Sequence, residues 1–151
     1  MRYERLIKVL LNKNLEKPCI IQITGPRDSG KTLLITKIVE KIRREGFSQK
    51  IIVIKHSHHK NIDVEDKDTF RYLKSGAEAS LIAVDSGFGV FSSTIDPTDL
   101  VNIDFFDIIF IEGFKELTVG LKIDLSEKNI DIDYEAEKIY RYLLEKKCLH
   151  K

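Results

Sequence analysis

Apolar residues along the chain alternate between helical spacing and short unbroken runs, and the order of these patterns predicts the elements. Tyr3, Leu6, Ile7, Leu10 and Leu11 form one face of an opening helix within residues 1–15, which fades at Asn12-Lys13-Asn14. Cys19-Ile20-Ile21-Gln22-Ile23-Thr24 is a short apolar run suited to a buried parallel strand. Leu33, Leu34, Ile38, Val39 and Ile42 then return to helical spacing, and Gly46 stands where a C-terminal cap belongs. Lys50 to Lys55 reads as a second buried strand, and the polar stretch from His56 to Lys67 as a loop. Asp68 to Gly76 has the length of a short helix with Phe70 and Leu73 as core contacts. Ser80–Val84 and Phe88–Ser92 flank the turn sequence Asp85-Ser86-Gly87, which predicts a β-hairpin. Pro97 to Val101 suits another short helix, Phe105 to Ile111 the most apolar strand, and Val119 to Leu125 a further strand. Ala136, Ile139, Tyr140, Leu143 and Leu144 define a last amphipathic helix within residues 133–147. Alternating strands and helices predict a three-layer α/β domain with a mainly parallel sheet and an added β-hairpin.

One junction in this pattern carries chemistry. Gly25-Pro26-Arg27-Asp28-Ser29-Gly30-Lys31-Thr32 reads G-x-x-x-x-G-K-T between the first strand and its helix, the context that a phosphate-binding loop requires. Gly25 and Gly30 let the backbone wrap with N–H groups pointing inward at the positive end of the following helix. Lys31 brings a full positive charge within reach of β- and γ-phosphates, and the Thr32 hydroxyl can ligate Mg²⁺. The alternative is an ordinary glycine-containing turn, which the flanking strand and helix disfavour. The expected architecture is therefore the P-loop NTPase fold, and Gly25, Asp28, Ser29, Gly30, Lys31 and Thr32 are its predicted nucleotide-binding residues.

The later strand Asp107-Ile108-Ile109-Phe110-Ile111-Glu112-Gly113 carries an acid at each end. Ligands of parallel sheets gather beyond the carboxyl ends of strands, so Glu112 is expected at the phosphate site as the metal-linked or water-orienting acid. Asp107 lies roughly 16 Å away along the strand and is expected to be a solvated strand-start residue. A loop-capping role is the plainer alternative for Glu112. His56, His58 and His59, with Asp63, Asp66 and Asp68 behind them, suggest a transition-metal site, but their spacing matches no closed zinc pattern. A bare exposed loop is the simple alternative. The preferred reading makes this loop face the nucleotide or a second phosphorylated ligand, with Lys55, His56, His58, His59, Asp68 and Arg71 as its residues. Lys115 and Lys122 can also meet phosphate, although solvated lysines are commoner.

Composition adds limits. The 151 residues suffice for one domain, and 25 Lys+Arg against 24 Asp+Glu give no bulk attraction to nucleic acid or membranes. No apolar stretch has transmembrane length and Met1-Arg2-Tyr3-Glu4-Arg5 does not open a signal peptide, so a cytoplasmic protein is expected. Cys19 and Cys148, without any C-x-x-C, are expected to be free thiols.

The loop Gly25–Thr32, the run Val53-Ile54-Lys55-His56-Ser57-His58-His59, the segment Lys67-Asp68-Thr69-Phe70-Arg71 followed by Gly76-Ala77, and Ile111-Glu112-Gly113-Phe114-Lys115 occur in an order and spacing similar to the molybdopterin-guanine dinucleotide biosynthesis protein B family, MobB. The resemblance covers roughly Ile20 to Ile123. It implies a GTP-binding protein with at most slow Mg²⁺-dependent GTPase activity, usually a homodimer. Such a protein assists the guanylyltransferase MobA in attaching GMP to molybdopterin. Gly25, Gly30, Lys31 and Thr32 would then hold phosphate and Mg²⁺. His56, His58, His59, Asp68, Arg71, Glu112 and Lys115 would line the same functional face. Arg27-Asp28 replaces the small residues common in the family loop, and Leu121 stands where the family strand often has Pro. There is no N-K-x-D sequence to read guanine, so guanine preference rests on the resemblance alone. Two other readings compete: a small P-loop kinase, for which no arginine-rich lid is visible, and a metal chaperone built on the histidine loop.

Overall fold

A computed structural model describes residues 3–16, 19–57 and 68–151, with the backbone alone at 13–16 and 69. The elements in order are α1 (Glu4–Glu16), β1 (Ile20–Thr24), α2 (Lys31–Arg44), β2 (Ile51–Lys55), α3 (Asp68–Lys74), β3 (Ala79–Val84), β4 (Gly87–Ser92), β5 (Ile108–Glu112), β6 (Leu121–Asp124) and α4 (Ile132–Glu145). Two 3₁₀ turns, Pro97–Asp99 and Ile103–Phe105, precede β5. The chain divides into two compact units, one of residues 1–8 and 58–102, the other of residues 9–57 and 103–151.

The larger unit holds a four-stranded parallel sheet in the order β2-β5-β1-β6. The two central strands are buried along their whole length, as suits their largely apolar composition. Ile21, Ile23, Ile108 and Phe110 point to one face. There they meet Leu34, Ile35, Ile38 and Ile42 of α2 and Ala136, Ile139, Tyr140 and Leu143 of α4. Alternation turns Ile20, Gln22, Ile109 and Ile111 to the opposite face, where they are also buried. The C-terminal end of α2 closes with Gly46 N–H donating to Arg43 O and Phe47 N–H to Ile42 O, a pair that satisfies two carbonyls otherwise left open. At the start of α4, the Asp131 carboxylate accepts the Tyr134 N–H at 3.1 Å.

The smaller unit contains α3 and the antiparallel β3–β4 hairpin. Val84 pairs with Gly87 across the two-residue connection Asp85-Ser86. Asp96 organises its other part. One carboxylate oxygen accepts Thr98 N–H and Oγ1–H at 3.0 and 2.6 Å, and the other accepts the Arg5 N–H at 3.1 Å. The Arg5 guanidinium pairs in turn with Asp99. Burial pushes the Asp96 carboxyl up, but the bonds from Thr98 and Arg5 and the Arg5 charge outweigh it and hold the group below the ordinary aspartate value.

Several expectations change. β2 lies at the sheet edge with Val53 46% exposed, not buried on both faces; its composition resembles that of β5, and only pairing distinguishes them. The strand expected from Phe105 begins at Ile108, because Phe105 is in a 3₁₀ turn with its exposed ring edge-on to Phe106. β6 begins at Leu121, since Gly120 turns the chain just before it. α1 continues through Asn12 and Asn14 to Glu16, as each Asn weakens a helix by only a few tenths of a kcal/mol. In α2 it is Ile35 rather than Leu33 that turns inward. Cys19 and Cys148 are not free thiols. They form a disulfide between residues 129 positions apart, with Cα atoms 5.6 Å apart. Folding brings the start of β1 against the segment after α4, a proximity that local spacing does not encode.

Candidate functional site

The carboxyl ends of the parallel strands meet the start of α2. After β1, residues 25–30 turn back on themselves, with Ser29 N–H donating to Pro26 O at 3.3 Å. Asp28 is exposed at the tip of this turn with φ 59°, a conformation that Asp tolerates better than most residues. Gly30 is the residue before the helix, at φ 96°, and a Cβ there would lie 2.9 Å from Ile132 Cδ1. Glycine at this position thus meets both a backbone and a packing demand.

The Lys31 ammonium donates to Gly25 O at 2.9 Å and Pro26 O at 2.7 Å, folding its side chain across the loop. Its positive charge is therefore held over the same turn whose backbone amides precede α2. The Ser29 hydroxyl is buried and has no hydrogen-bond partner among the described residues, leaving a donor available within the loop.

Glu112 enters from β5. Register places it beside Ile23 of β1 and Lys55 of β2, and its side chain is 9% exposed. Thr32 Oγ1 lies 3.3 and 3.4 Å from the two carboxylate oxygens, and Lys55 Nζ is 3.9 Å from Oε1. A hydroxyl and a carboxylate that converge in this way are hard oxygen ligands suited to Mg²⁺, which takes few protein ligands and keeps several waters. The orphaned Ser29 hydroxyl and the Lys31 ammonium fit the phosphate oxygens that accompany such a metal. Asp107 is at the other end of β5, where its carboxylate accepts the Lys50 N–H at 2.8 Å.

The remaining predicted residues divide by location. His56 follows β2, donates its N–H to Glu112 O at 2.9 Å and stacks its ring on Phe114 with centroids 4.5 Å apart. Lys115 is exposed on the loop after Glu112. Lys122 directs its ammonium to Lys115 O and Leu117 O, both at 2.8 Å. Asp68 and Arg71 belong to α3 in the smaller unit. His58, His59, Asp63 and Asp66 lie outside the described residues. Among the described residues, no group of three or more His, Cys, Asp or Glu side chains forms a metal cluster.

A residue passed over in the sequence also belongs to this region. Gln22, fully buried in β1, directs its amide to the backbone that follows Glu112. The available signal was a polar side chain in the middle of an otherwise apolar buried strand, a position that requires internal partners.

The profile of the family described as molybdopterin guanine dinucleotide synthesis protein B matches residues 20–141. A molybdopterin-guanine dinucleotide biosynthesis adapter protein from Haemophilus influenzae is 31% identical over 107 residues, covering 64% of this chain and 57% of that protein. A putative adapter protein of the same description from Methanocaldococcus jannaschii is 34% identical over 108 residues, covering 69% of this chain and 44% of that protein. The chain thus spans about half the length of these two curated relatives. The crystal structure of Bacillus subtilis MobB aligns with a TM-score of 0.52 at 29% identity, covering 78% of this chain and 72% of that one.

Proposed function

This chain belongs to the MobB family, molybdopterin guanine dinucleotide synthesis protein B, and on that premise we propose that it is a GTP-binding adapter in molybdenum cofactor biosynthesis. The observation that carries this reading is the convergence of the Lys31 ammonium, the Ser29 hydroxyl and the Thr32–Glu112 pair at one end of the parallel sheet. Gly25, Asp28, Ser29, Gly30, Lys31 and Thr32 surround the phosphates, with Lys115 as a further cation on the neighbouring loop. Thr32 and Glu112 would hold Mg²⁺, which when bound would supply positive charge to neutralise the phosphates.

In this reading Lys31 leaves the carbonyls of Gly25 and Pro26 for phosphate oxygens, exchanging neutral acceptors for charged ones. Glu112 orients water at the γ-phosphate. Hydrolysis is at most slow in this reading, because efficient phosphoryl transfer relies on a cation fixed at the transferred group and the Lys55 beside Glu112 is not firmly held. Lys55 is 62% exposed, so its hold on Glu112 is screened by solvent.

The partners proposed are the guanylyltransferase MobA, molybdopterin cofactor and a second copy of this chain, acting in the cytoplasm. A binding surface for a protein is supported by the hairpin, where Leu81, Ile82, Val84 and Phe88 are 48–76% exposed. Among the described residues no helix is long and apolar enough to cross a membrane. The test is to titrate the purified chain with GTP and with ATP in the presence of Mg²⁺, then with MobA. Preference for GTP and a nucleotide-dependent complex with MobA support the proposal. Preference for ATP with no complex contradicts it.

A further inference from the structure

The loop that leaves Glu112 is closed around a single buried side chain. Gln22 sits at the centre of β1 between Ile111 of β5 and Lys122 of β6 and is 0% exposed. Its Nε2 donates to Gly113 O at 3.0 Å, Phe114 O at 3.0 Å and Leu117 O at 3.2 Å. Its Oε1 accepts the Val119 N–H at 2.9 Å. An amide has two N–H donors, so the three carbonyls share them, and every polar atom of the side chain is engaged. The opposite amide orientation would set an oxygen against three carbonyl oxygens and an NH₂ against an N–H. The partners therefore define this orientation.

The backbone held in this way includes a strained residue. Phe114 has φ 53°, a left-handed conformation that is costly for a bulky side chain and persists where surroundings over-determine it. Within the loop, Leu117 N–H returns to Phe114 O at 2.8 Å, and Lys122 adds donors to Lys115 O and Leu117 O from the surface side. Gln22 is the contribution from the core side, reaching residues at both ends of the loop. The strained Phe114 is also the residue whose ring stacks on His56, and it follows Glu112 by only two positions.

We propose that Gln22 is a positioning residue: its buried amide locks residues 113–119, and through them fixes the exit of Glu112 from β5 and the Phe114–His56 stack beside the phosphate loop. The functional half of this inference rests on the GTP-binding reading; the structural half does not. A side chain reaching the site only through the backbone it clamps affects the placement of Glu112 more than the loop that holds the phosphates. Its loss is expected in turnover rather than in nucleotide affinity.

The experiment combines backbone amide exchange on the whole chain with Mg²⁺-GTP hydrolysis for the unaltered protein, Gln22→Met and Gln22→Asn. Met matches the length of Gln without polar atoms, and Asn keeps the amide but falls one methylene short. In the unaltered protein the Val119 and Leu117 amides are protected. In both variants Val119 exchanges about tenfold faster or more, the scale of its one lost hydrogen bond, and Leu117, whose N–H stays on Phe114 O, exchanges faster as the loop loosens. The ladder amides of Gly113 and Leu125, which bond to Ile23 O and Thr24 O, keep their protection. Hydrolysis falls about tenfold in kcat with KM within about threefold. Rapid exchange at Val119 in the unaltered protein, or unchanged exchange at both sites in a folded variant, overturns the clamp. If Gln22→Met does not fold, Gln22→Asn and the unaltered protein decide the matter. A loosened loop with unchanged kcat overturns the positioning role. A protein that does not hydrolyse GTP at all overturns the positioning role along with the catalytic part of the GTP-binding reading, while amide exchange still decides the clamp.

Discussion

Replacing Gly120 by Ala is predicted to destabilise the protein severely, because the residue combines two independent constraints. Its φ is +68°, so any residue bearing a Cβ adopts a left-handed conformation there, at a cost of roughly 1–2 kcal/mol. The added Cβ would also lie 2.1 Å from Ile20 O and 2.7 Å from both Ile20 C and Cβ. Reaching ordinary contact requires the two backbones to separate by more than about 1 Å, a change comparable to core overpacking at roughly 1–3 kcal/mol. Ile20 has little freedom to retreat: β1 is paired to β5 on one side and to β6 on the other. The two effects together give a loss of about 2–5 kcal/mol. For a chain of this length each kcal/mol lowers Tm by about 2–4 °C, so the Tm of Gly120→Ala is expected to fall by roughly 4–20 °C. Thermal unfolding followed by circular dichroism, with urea titration at 25 °C to obtain the free-energy difference, measures both quantities. A folded variant within about 2 °C of the parent would refute the claim that β1 and the turn into β6 are in tight backbone contact.

Other perturbations probe separate parts of the structure. Glu112→Gln should lower GTP hydrolysis by about 10²–10⁴-fold in single-turnover assays while changing affinity far less, and a normal rate would return Glu112 to a structural role. Ile38→Ala, at a fully buried position between α2 and the sheet, should cost about 2–5 kcal/mol in urea unfolding; a loss below about 1 kcal/mol would contradict the packing. Asp96→Ala should cost about 1 kcal/mol at neutral pH by uncapping the Pro97–Asp99 turn and the Arg5 N–H. Because the folded Asp96 carboxyl is held below its ordinary value, its contribution is fully present above the unfolded pKa and is lost as pH falls through the lowered folded value. The stability gap between parent and Asp96→Ala should therefore shrink on acidification below the ordinary aspartate range, and a gap that widens there would contradict the assigned bonds.

The strand, loop and helix around Gly25–Thr32 were legible because two glycines, a lysine and a threonine at fixed spacing interrupt a clear change from strand-like to helical periodicity. Glu112 was legible for a related reason: direction along a parallel strand separates it from Asp107, and the structure joins it to Thr32 while Asp107 binds the Lys50 backbone. The hairpin followed from its turn residues. What depends on long-range pairing was harder to read. The edge position of β2 and the disulfide between Cys19 and Cys148 come from topology, which local pattern does not carry. Phe105 and Phe106 suggested strand by composition, yet the chain turns there, and Lys50 Nζ lies 5.0 Å from the Phe105 ring centre. Gln22 was absorbed into an apolar run, and its significance emerged only when folding brought the loop from Gly113 to Val119 around it.

The most direct measurement is a calorimetric titration of Mg²⁺-GTP and Mg²⁺-ATP into the purified protein and into Lys31→Ala. Saturable binding with preference for GTP is expected, and an affinity at least about 10²-fold weaker in a folded Lys31→Ala protein, from the loss of charge-assisted hydrogen bonds to phosphate. No binding by the parent, preference for ATP, or undiminished GTP affinity in Lys31→Ala would contradict it.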